Sequence, residues 1–285
     1  MHQHHTRRHT GLSMTCRCAA LVAAAVTITV LSVAPLWADS HEEEKPVTTY
    51  TRVALWEVDR DHWGDFVDLF EKHDQPILEK LFADGVITEW GIDANGLHKP
   101  DGYTHSTWYS APSMSALAKA GEAYMAAFDE IDDPDADAAF NAMIGRHRDV
   151  ILETEGMRSA AATLDGGYFQ GHTVTVTRDK WKSFQSYWKH RMKPVYEQLL
   201  ADGDIVAYGL SGEAIVTGHP MMVNWWYVMA DADGFDTVEA AFDASWGEMD
   251  EEGRRARWLS IMDTVDEDSY RGWVTSIIHF ATAAH

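Results

Sequence analysis

Along residues 49–58 apolar and polar side chains alternate, the period of a strand buried on one face, and residues 172–177 do the same. Behind each strand the period changes. Trp63, Phe66, Phe70, Ile77 and Leu81 fall at helical spacing, as do Trp181, Phe184, Trp188, Val195 and Leu199. Asp59 or Asp61 stands where the first helix needs a cap, and Asp179 where the second does, because a short acidic side chain accepts the free amide hydrogens of a first turn. Gly85 and Gly203 fall where a left-handed helix end favours glycine. Strands are predicted next at 86–92 and 205–210, then polar loops, then strands at 104–109 and 222–229. A second helical region is predicted over 113–128 with an added segment at 136–152, and its counterpart over 235–264 with a break. Closing strands are predicted at 158–164 and 273–281.

The two series are copies of one another. With a constant shift of 118 and no gap, residues 60–92 match residues 178–210 at 12 of 33 positions. The identities include Arg60/Arg178, Trp63/Trp181, Phe66/Phe184, Pro76/Pro194 and Gly91/Gly209, and the triplets 83–85 and 201–203. The same shift superposes Trp108-Tyr109 on Trp226-Tyr227. Self-similarity at this level is the mark of a tandem duplication. The boundaries predicted from it are a leader at 1–38, an acidic linker at 39–47, one repeat at 48–166 and a second at 167–285, with Gly166-Gly167 as the joint.

The leader does not share the pattern. Arg7, Arg8 and Arg17 precede an uncharged run at 18–33, and the stretch closes on Pro35-Leu36-Trp37-Ala38. A basic start, an apolar middle and a small residue at the end make a secretory signal peptide cut after Ala38, and Met14 could open it equally well. An uncleaved anchor is the alternative, since the run approaches the roughly 17–20 residues that a spanning helix needs. Export predicts a periplasmic or secreted protein. Both cysteines, Cys16 and Cys18, lie in the leader, which removes disulfides, cysteine–zinc sites and thiol nucleophiles from the mature chain. The whole chain has 285 residues, 23 basic and 45 acidic. Without the three leader arginines the formal charge is about −25, which repels nucleic acid and anionic membrane surfaces. A hydrophobic fraction of 46% supports a sizeable core.

The element order is βαββαβ, twice: an α+β chain of two tandem ferredoxin-like units. Each unit has a sheet with one face under helices and the other bare, and a bare apolar face must find cover. Face-to-face packing of the two sheets supplies it. Over residues 48–283 this arrangement resembles the dimeric α/β-barrel superfamily, with both halves in one chain. That resemblance brings in antibiotic-biosynthesis-type monooxygenases, haem-degrading monooxygenases and chlorite-dismutase-like haem proteins. It rests on element order and the repeat, and no catalytic motif comes with it.

Barrels of this kind hold ligands between sheet and helices or inside the barrel. Trp56, Trp90, Trp108, Trp225 and Trp226 all fall on predicted strands, where they fill a core or line a pocket for a flat, apolar ligand. Arg52, in the same column as Trp56, is placed to anchor a carboxylate. His105, His172 and His279 lie on three strands; converging, they would bind a metal, or one would ligate haem iron, with His73 or His190 reaching in from the helices. No metal-binding spacing accompanies them. The basic cluster 190–193 reads as pairing with acidic helix neighbours, and Asp132, Asp133, Asp135 and Asp137 as a solvated acidic loop lacking the glycine and glutamate of a calcium loop. The site set that emerges is Arg52, Trp56, Trp108, His172, Trp226 and His279. The expected function is an exported protein binding a small, largely apolar or aromatic molecule. A barrel oxidoreductase, cofactor-free or haem-dependent, is the first alternative, and an assembly partner without a ligand the second. The sequence leaves homo-oligomerisation open.

Overall fold

The computed structural model describes residues 47–96, 102–131, 133, 135–215, 221–247 and 250–285. The expected leader, nearly all of the acidic linker, and Asp132 lie outside them. The first half comprises β1 (Thr48–Val58), α1 (Trp63–Leu69), α2 (Gln75–Ala83), β2 (Glu89–Asn95), β3 (His105–Ala111), α3 (Met114–Asp129), α4 (Ala136–Met143) and β4 (Ile144–Ser159), with a short β5 (Ala162–Leu164) after it. The second half comprises β6 (Tyr168–Val176), α5 (Trp181–Tyr187), α6 (Lys193–Asp202), β7 (Ala207–Glu213), β8 (Met222–Met229), α7 (Asp233–Ser245), α8 (Glu251–Met262) and β9 (Val265–Thr282).

Each half forms a four-stranded antiparallel sheet, β2-β3-β1-β4 and β7-β8-β6-β9. The halves keep the shift of 118 through their strand registers: Tyr50 pairs with Ala111 as Tyr168 pairs with Met229, and Glu89 with Ser110 as Ala207 with Val228. The uncovered faces do look at one another, but what joins the halves is edge pairing. β4 bonds β1 along residues 144–155 and then β7 along 152–159. β9 bonds β6 along 265–276 and then β2 along 275–282. Every sheet edge thereby finds a partner, and eight strands close into a barrel.

That role corrects two element boundaries. Residues 144–152 are strand, not the end of a helix, and β9 begins at Val265 rather than at 273. A closing strand must reach two neighbours in succession, so it is longer than its own pattern suggests, and cross-strand pairing overrides the local helical spacing. The aspartate caps also differ. Asp59 occupies the cap position without a side-chain bond, and Thr177 takes the place expected for Asp179, because each long helix opens with a three-residue tighter turn. Gly85 (φ 70°) and Gly203 (φ 82°) end their helices in the left-handed conformation as expected.

Three apolar layers result. Phe66, Phe70, Leu78 and Leu81 pack on the outer face of the first sheet, and Phe184, Trp188, Val195 and Leu199 on that of the second. Trp108, Met157, Trp226, Ile277 and Phe280 fill part of the barrel interior. Gly91 and Gly209, identical in the two repeats, lie beneath the indoles of Trp108 and Trp226. A Cβ at Gly91 would stand 2.4 Å from Trp108, and one at Gly209 2.8 Å from Trp226. The recurring Gly and Trp are one structural unit, a ring laid on bare backbone. No described helix is long and apolar enough to cross a membrane.

Candidate active site between the first sheet and its helices

The long helix of each half carries a proline, Pro76 or Pro194, which has no amide hydrogen and whose ring crowds the preceding turn. The helix answers with one wide turn just ahead of it. Gln75 N–H reaches back five residues to the Phe70 carbonyl, and Lys193 N–H to the Trp188 carbonyl. Such single wide turns occur often at functional sites. In the first half this turn (Phe70–Asp74) directs Phe70, His73 and Asp74 toward the sheet.

A cavity of about 350 Å³ lies there, floored by Arg52, Ala54 and Trp56 of β1 and Thr107 and Tyr109 of β3, and roofed by the wide turn, α3 and α4. That size is at the lower end of small-molecule sites, roughly 300–1,000 Å³. Trp56 forms one wall. Its Nε1 donates to Thr107 Oγ1 at 3.0 Å and its ring stacks on His147 at 3.9 Å, with Phe140 edge-on at 5.1 Å. Tyr124 of α3 stacks on Tyr109 at 6.1 Å and donates its hydroxyl hydrogen to Asp74 Oδ1. Burial raises the Asp74 carboxyl above its ordinary range, although Tyr124 and His73 pull it back. Burial, reinforced by Asp74, raises the Tyr124 hydroxyl further above its own. The shared proton therefore rests on Tyr124, and burial increases the basicity of the Asp74 oxygen that accepts it. Arg52 Nε donates to Asp149 Oδ1 at 3.2 Å, which holds the guanidinium over the sheet. His73 is buried; its Nε2 lies 3.3 Å from Asp133 Oδ2, without the alignment of a hydrogen bond. Asp133 itself pairs with Lys72 at 2.7 Å.

The second half fills the corresponding space. The cross-strand pair Ala54 and Thr107 becomes His172 and Trp225. Leu69 and Leu78 correspond to Tyr187 and Tyr196, and Tyr196 packs edge-on to Phe242 at 5.1 Å. Where the first half has Arg52, Asp74 and Tyr124, the second has Gln170, Met192 and Phe242. The first half has an aromatic-walled cavity with a few polar groups, and the second sets bulky rings at the matching positions.

The six residues expected at the site divide among four places. Arg52 and Trp56 line this cavity. Trp108, which also borders this cavity, and Trp226 set their rings in the barrel interior. His172 is stacked on Trp225 and bonded at Nδ1 to Tyr270 at 2.8 Å, inside the second half. His279 is outside the barrel between Glu71 and Asp165, each 2.9 Å from a ring nitrogen. The three strand histidines do not converge. His105 packs against Trp63 and Phe66, its Nδ1 3.0 Å from Thr104 Oγ1. Among the described residues no group of three or more His, Cys, Asp or Glu is placed to hold a metal ion. For haem the fit is poor: His105 and His172 are enclosed by rings, His279 is held by two carboxylates, His190 is exposed, and His73, which does line the cavity, turns Nε2 toward Asp133. Asp74, Tyr109 and Tyr124 were not foreseen. The signal for Asp74 and Tyr124 lay where the repeats differ, not where they agree.

A closed eight-stranded barrel of two ferredoxin-like halves is the fold of the dimeric α/β-barrel superfamily, here completed within one chain. A candidate monooxygenase from Lactobacillus acidophilus NCFM superposes with a TM-score of 0.58 at 11% identity, over 84% of this chain and 98% of that chain. Another from Fusobacterium nucleatum superposes with a TM-score of 0.59 at 11% identity, over 84% and 96%. A mutant chlorite dismutase from Candidatus Nitrospira defluvii aligns with a TM-score of 0.43 at 12% identity, over 80% and 91%. No protein-family model matches the sequence, and neither does any curated protein.

Proposed function

We propose that the protein is exported and binds a small hydroxylated aromatic molecule in the cavity of its first half, where it acts as a cofactor-free oxidoreductase. The observation that carries this reading is the asymmetry of the duplication: an aromatic-walled cavity with Arg52, His73, Asp74 and Tyr124 in one half, and bulky rings in the other. Trp56, Phe70 and Phe140 fit a flat ring. Asp74 takes the proton from the ring hydroxyl, and Arg52 stabilises the anion that results. The electron-rich anion reduces O2. A hydroxyarene and O2 give a quinone and water, one oxygen atom going to each product, and four electrons pass from the ring. The superposition on two candidate monooxygenases suggests the reaction class to test first. Export rests on the leader pattern, and the amino-terminal sequence of the processed protein, expected to begin at Asp39, tests it.

The decisive experiment pairs binding with oxygen uptake. With 1-naphthol as probe, a rise in melting temperature and O2 consumption are both expected. Both should vanish when Ala54→His and Thr107→Trp copy the second half into the first. Binding without oxygen uptake removes the oxidoreductase and leaves a ligand carrier. A panel of hydroxyarenes that leaves the melting temperature unmoved overturns the whole reading.

A further inference from the structure

Inside the barrel, across the sheet from the first cavity, lies a second one of about 320 Å³, reached by side chains from all eight long strands. Its chemistry is different. β2 turns Glu89, Asp93 and Asn95 inward on alternate positions, with glycine at 91 between them, and β7 adds Glu213. Arg148 is the cation among the described lining residues and lies 3.3 Å from Glu213 Oε1, so carboxylates outnumber it three to one.

Five of the donors that line this cavity are directed at its own acceptors. Ser106 and Thr275 hydroxyls donate to the two oxygens of Asp93, at 2.5 and 2.7 Å. Trp108 Nε1 donates to Glu89 at 3.1 Å, and Trp226 Nε1 to Ser211 at 2.8 Å. Thr173 donates to Asn224 at 2.5 Å. With their N–H groups occupied, Trp108 and Trp226 present apolar ring surface to the lumen. Phe169 lies between Trp226 and Trp273 at 5.2 and 5.1 Å.

One acceptor has been left over. Asn95 is only 7% exposed, and its Nδ2 donates to the Tyr103 carbonyl at 2.9 Å, which fixes the orientation of the amide. Its Oδ1 is buried without a hydrogen-bond partner, on a residue that lines this cavity. A buried carbonyl oxygen in that state costs about 1–3 kcal/mol until a donor reaches it. A visitor here meets acceptors, negative charge and aromatic rings. An anion is repelled, and a hydrocarbon leaves Asn95 unsatisfied. A molecule with N–H donors, a positive charge and an apolar body satisfies all three.

We propose that the barrel lumen binds a small organic ammonium ion, its N–H groups toward Asn95 Oδ1 and the carboxylates of β2 and its apolar part against Trp108, Trp226 and Trp273. This site is independent of the cavity under the helices and of any reaction there. Burial lifts the Glu89 carboxyl to about 7, despite hydrogen bonds from Trp108 and Ser110. A bound cation favours the ionised form, so binding releases a proton and tightens as pH rises through 7. Asp93, Glu213 and Arg148 face the same space and set the remaining field.

The test uses the purified protein and phenethylammonium, followed by tryptophan fluorescence and titration calorimetry at pH 6 and pH 8. Two shape-matched probes, neutral 2-phenylethanol and anionic phenylacetate, run beside it. The ammonium should bind at least tenfold more tightly than either, and more tightly at pH 8 than at pH 6. Asn95→Ala should weaken it at least tenfold, whereas Ala54→His with Thr107→Trp, which closes the other cavity, should leave it bound. Equal binding of the alcohol or the acid overturns the proposal, as does no binding of the ammonium at millimolar concentration. Loss of binding in the variant with the other cavity closed would move the site there and also overturn it. The comparison of three probes on the unaltered protein holds even if Asn95→Ala fails to fold.

Discussion

Tyr124 on α3 and Asp74 on the wide helical turn are joined by a hydrogen bond across the first-half cavity, a link that the corresponding Phe242 and Met192 cannot make. The bond stabilises a carboxylate whose burial raises its pKa above 3.8. A raised carboxyl pKa means stability that is full at low pH and declines as the group ionises in the fold. Removing the donor raises that pKa further. Tyr124→Phe should therefore cost roughly 1–3 kcal/mol near neutral pH and less near pH 4. Urea unfolding at pH 4 and pH 7.5 measures both, and an equal loss at the two values would show that the hydroxyl serves packing rather than the carboxylate.

The second half shows how the first can be closed. Ala54→His with Thr107→Trp reproduces the His172 and Trp225 pair at matching register. Space that already exists is being filled, but Trp56 Nε1 loses its acceptor Thr107 Oγ1, so stability should fall by roughly 1–3 kcal/mol. Loss of hydroxyarene binding in a variant that still unfolds cooperatively, with only a modestly lower melting temperature, is the expected result. A steep fall in melting temperature would mean that the two halves are packed less alike than their strand registers are.

Gly91 supports Trp108 by having no side chain. Gly91→Ala should displace the indole and cost roughly 1–3 kcal/mol. Trp108→Ala should cost roughly 3–5 kcal/mol, since this ring belongs to the barrel core. Thermal unfolding read against Gly64→Ala, where an added methyl meets open space, separates the shelf from any general effect of helix or strand propensity. Equal melting of the Gly91 and Gly64 variants would remove the shelf argument.

Two opposed pH effects are built into the buried groups. Burial lowers His105 and His172 from 6.5 to about 4, so each is neutral in the fold and takes up a proton on unfolding below pH 6.5. The stability they contribute is full above 6.5 and lost as pH falls toward 4, on the order of 2–3 kcal/mol for His105. Glu89 runs the other way. With its pKa lifted from 4.5 to about 7, its contribution is full below 4.5 and is lost as pH rises through 7. Glu89→Gln should therefore melt higher than the unaltered protein at pH 8 and no higher at pH 4.5. A difference that does not change with pH would show that Glu89 is not titrating between those values.

What the sequence determined by itself is the local and the repeated. Alternation and helical spacing placed most of the elements, because a residue's face follows from its own neighbours. The shift of 118 revealed two like halves, and Gly85 and Gly203 marked helix ends through a backbone geometry that glycine alone adopts freely. The tertiary structure decided the rest. Residues 144–152 became strand because the edge of β1, almost a hundred positions earlier in the chain, was there to pair with. His105, His172 and His279 share a residue type and a strand setting, yet barrel closure sent them to three separate places. Trp56 and Trp108 lie on neighbouring strands but on opposite faces of the sheet, one under the helices and one in the lumen. Which positions meet across a closed surface depends on strand order and stagger, and those are set by pairings between residues as far apart as Trp90 and Ala281, beyond the reach of any local pattern.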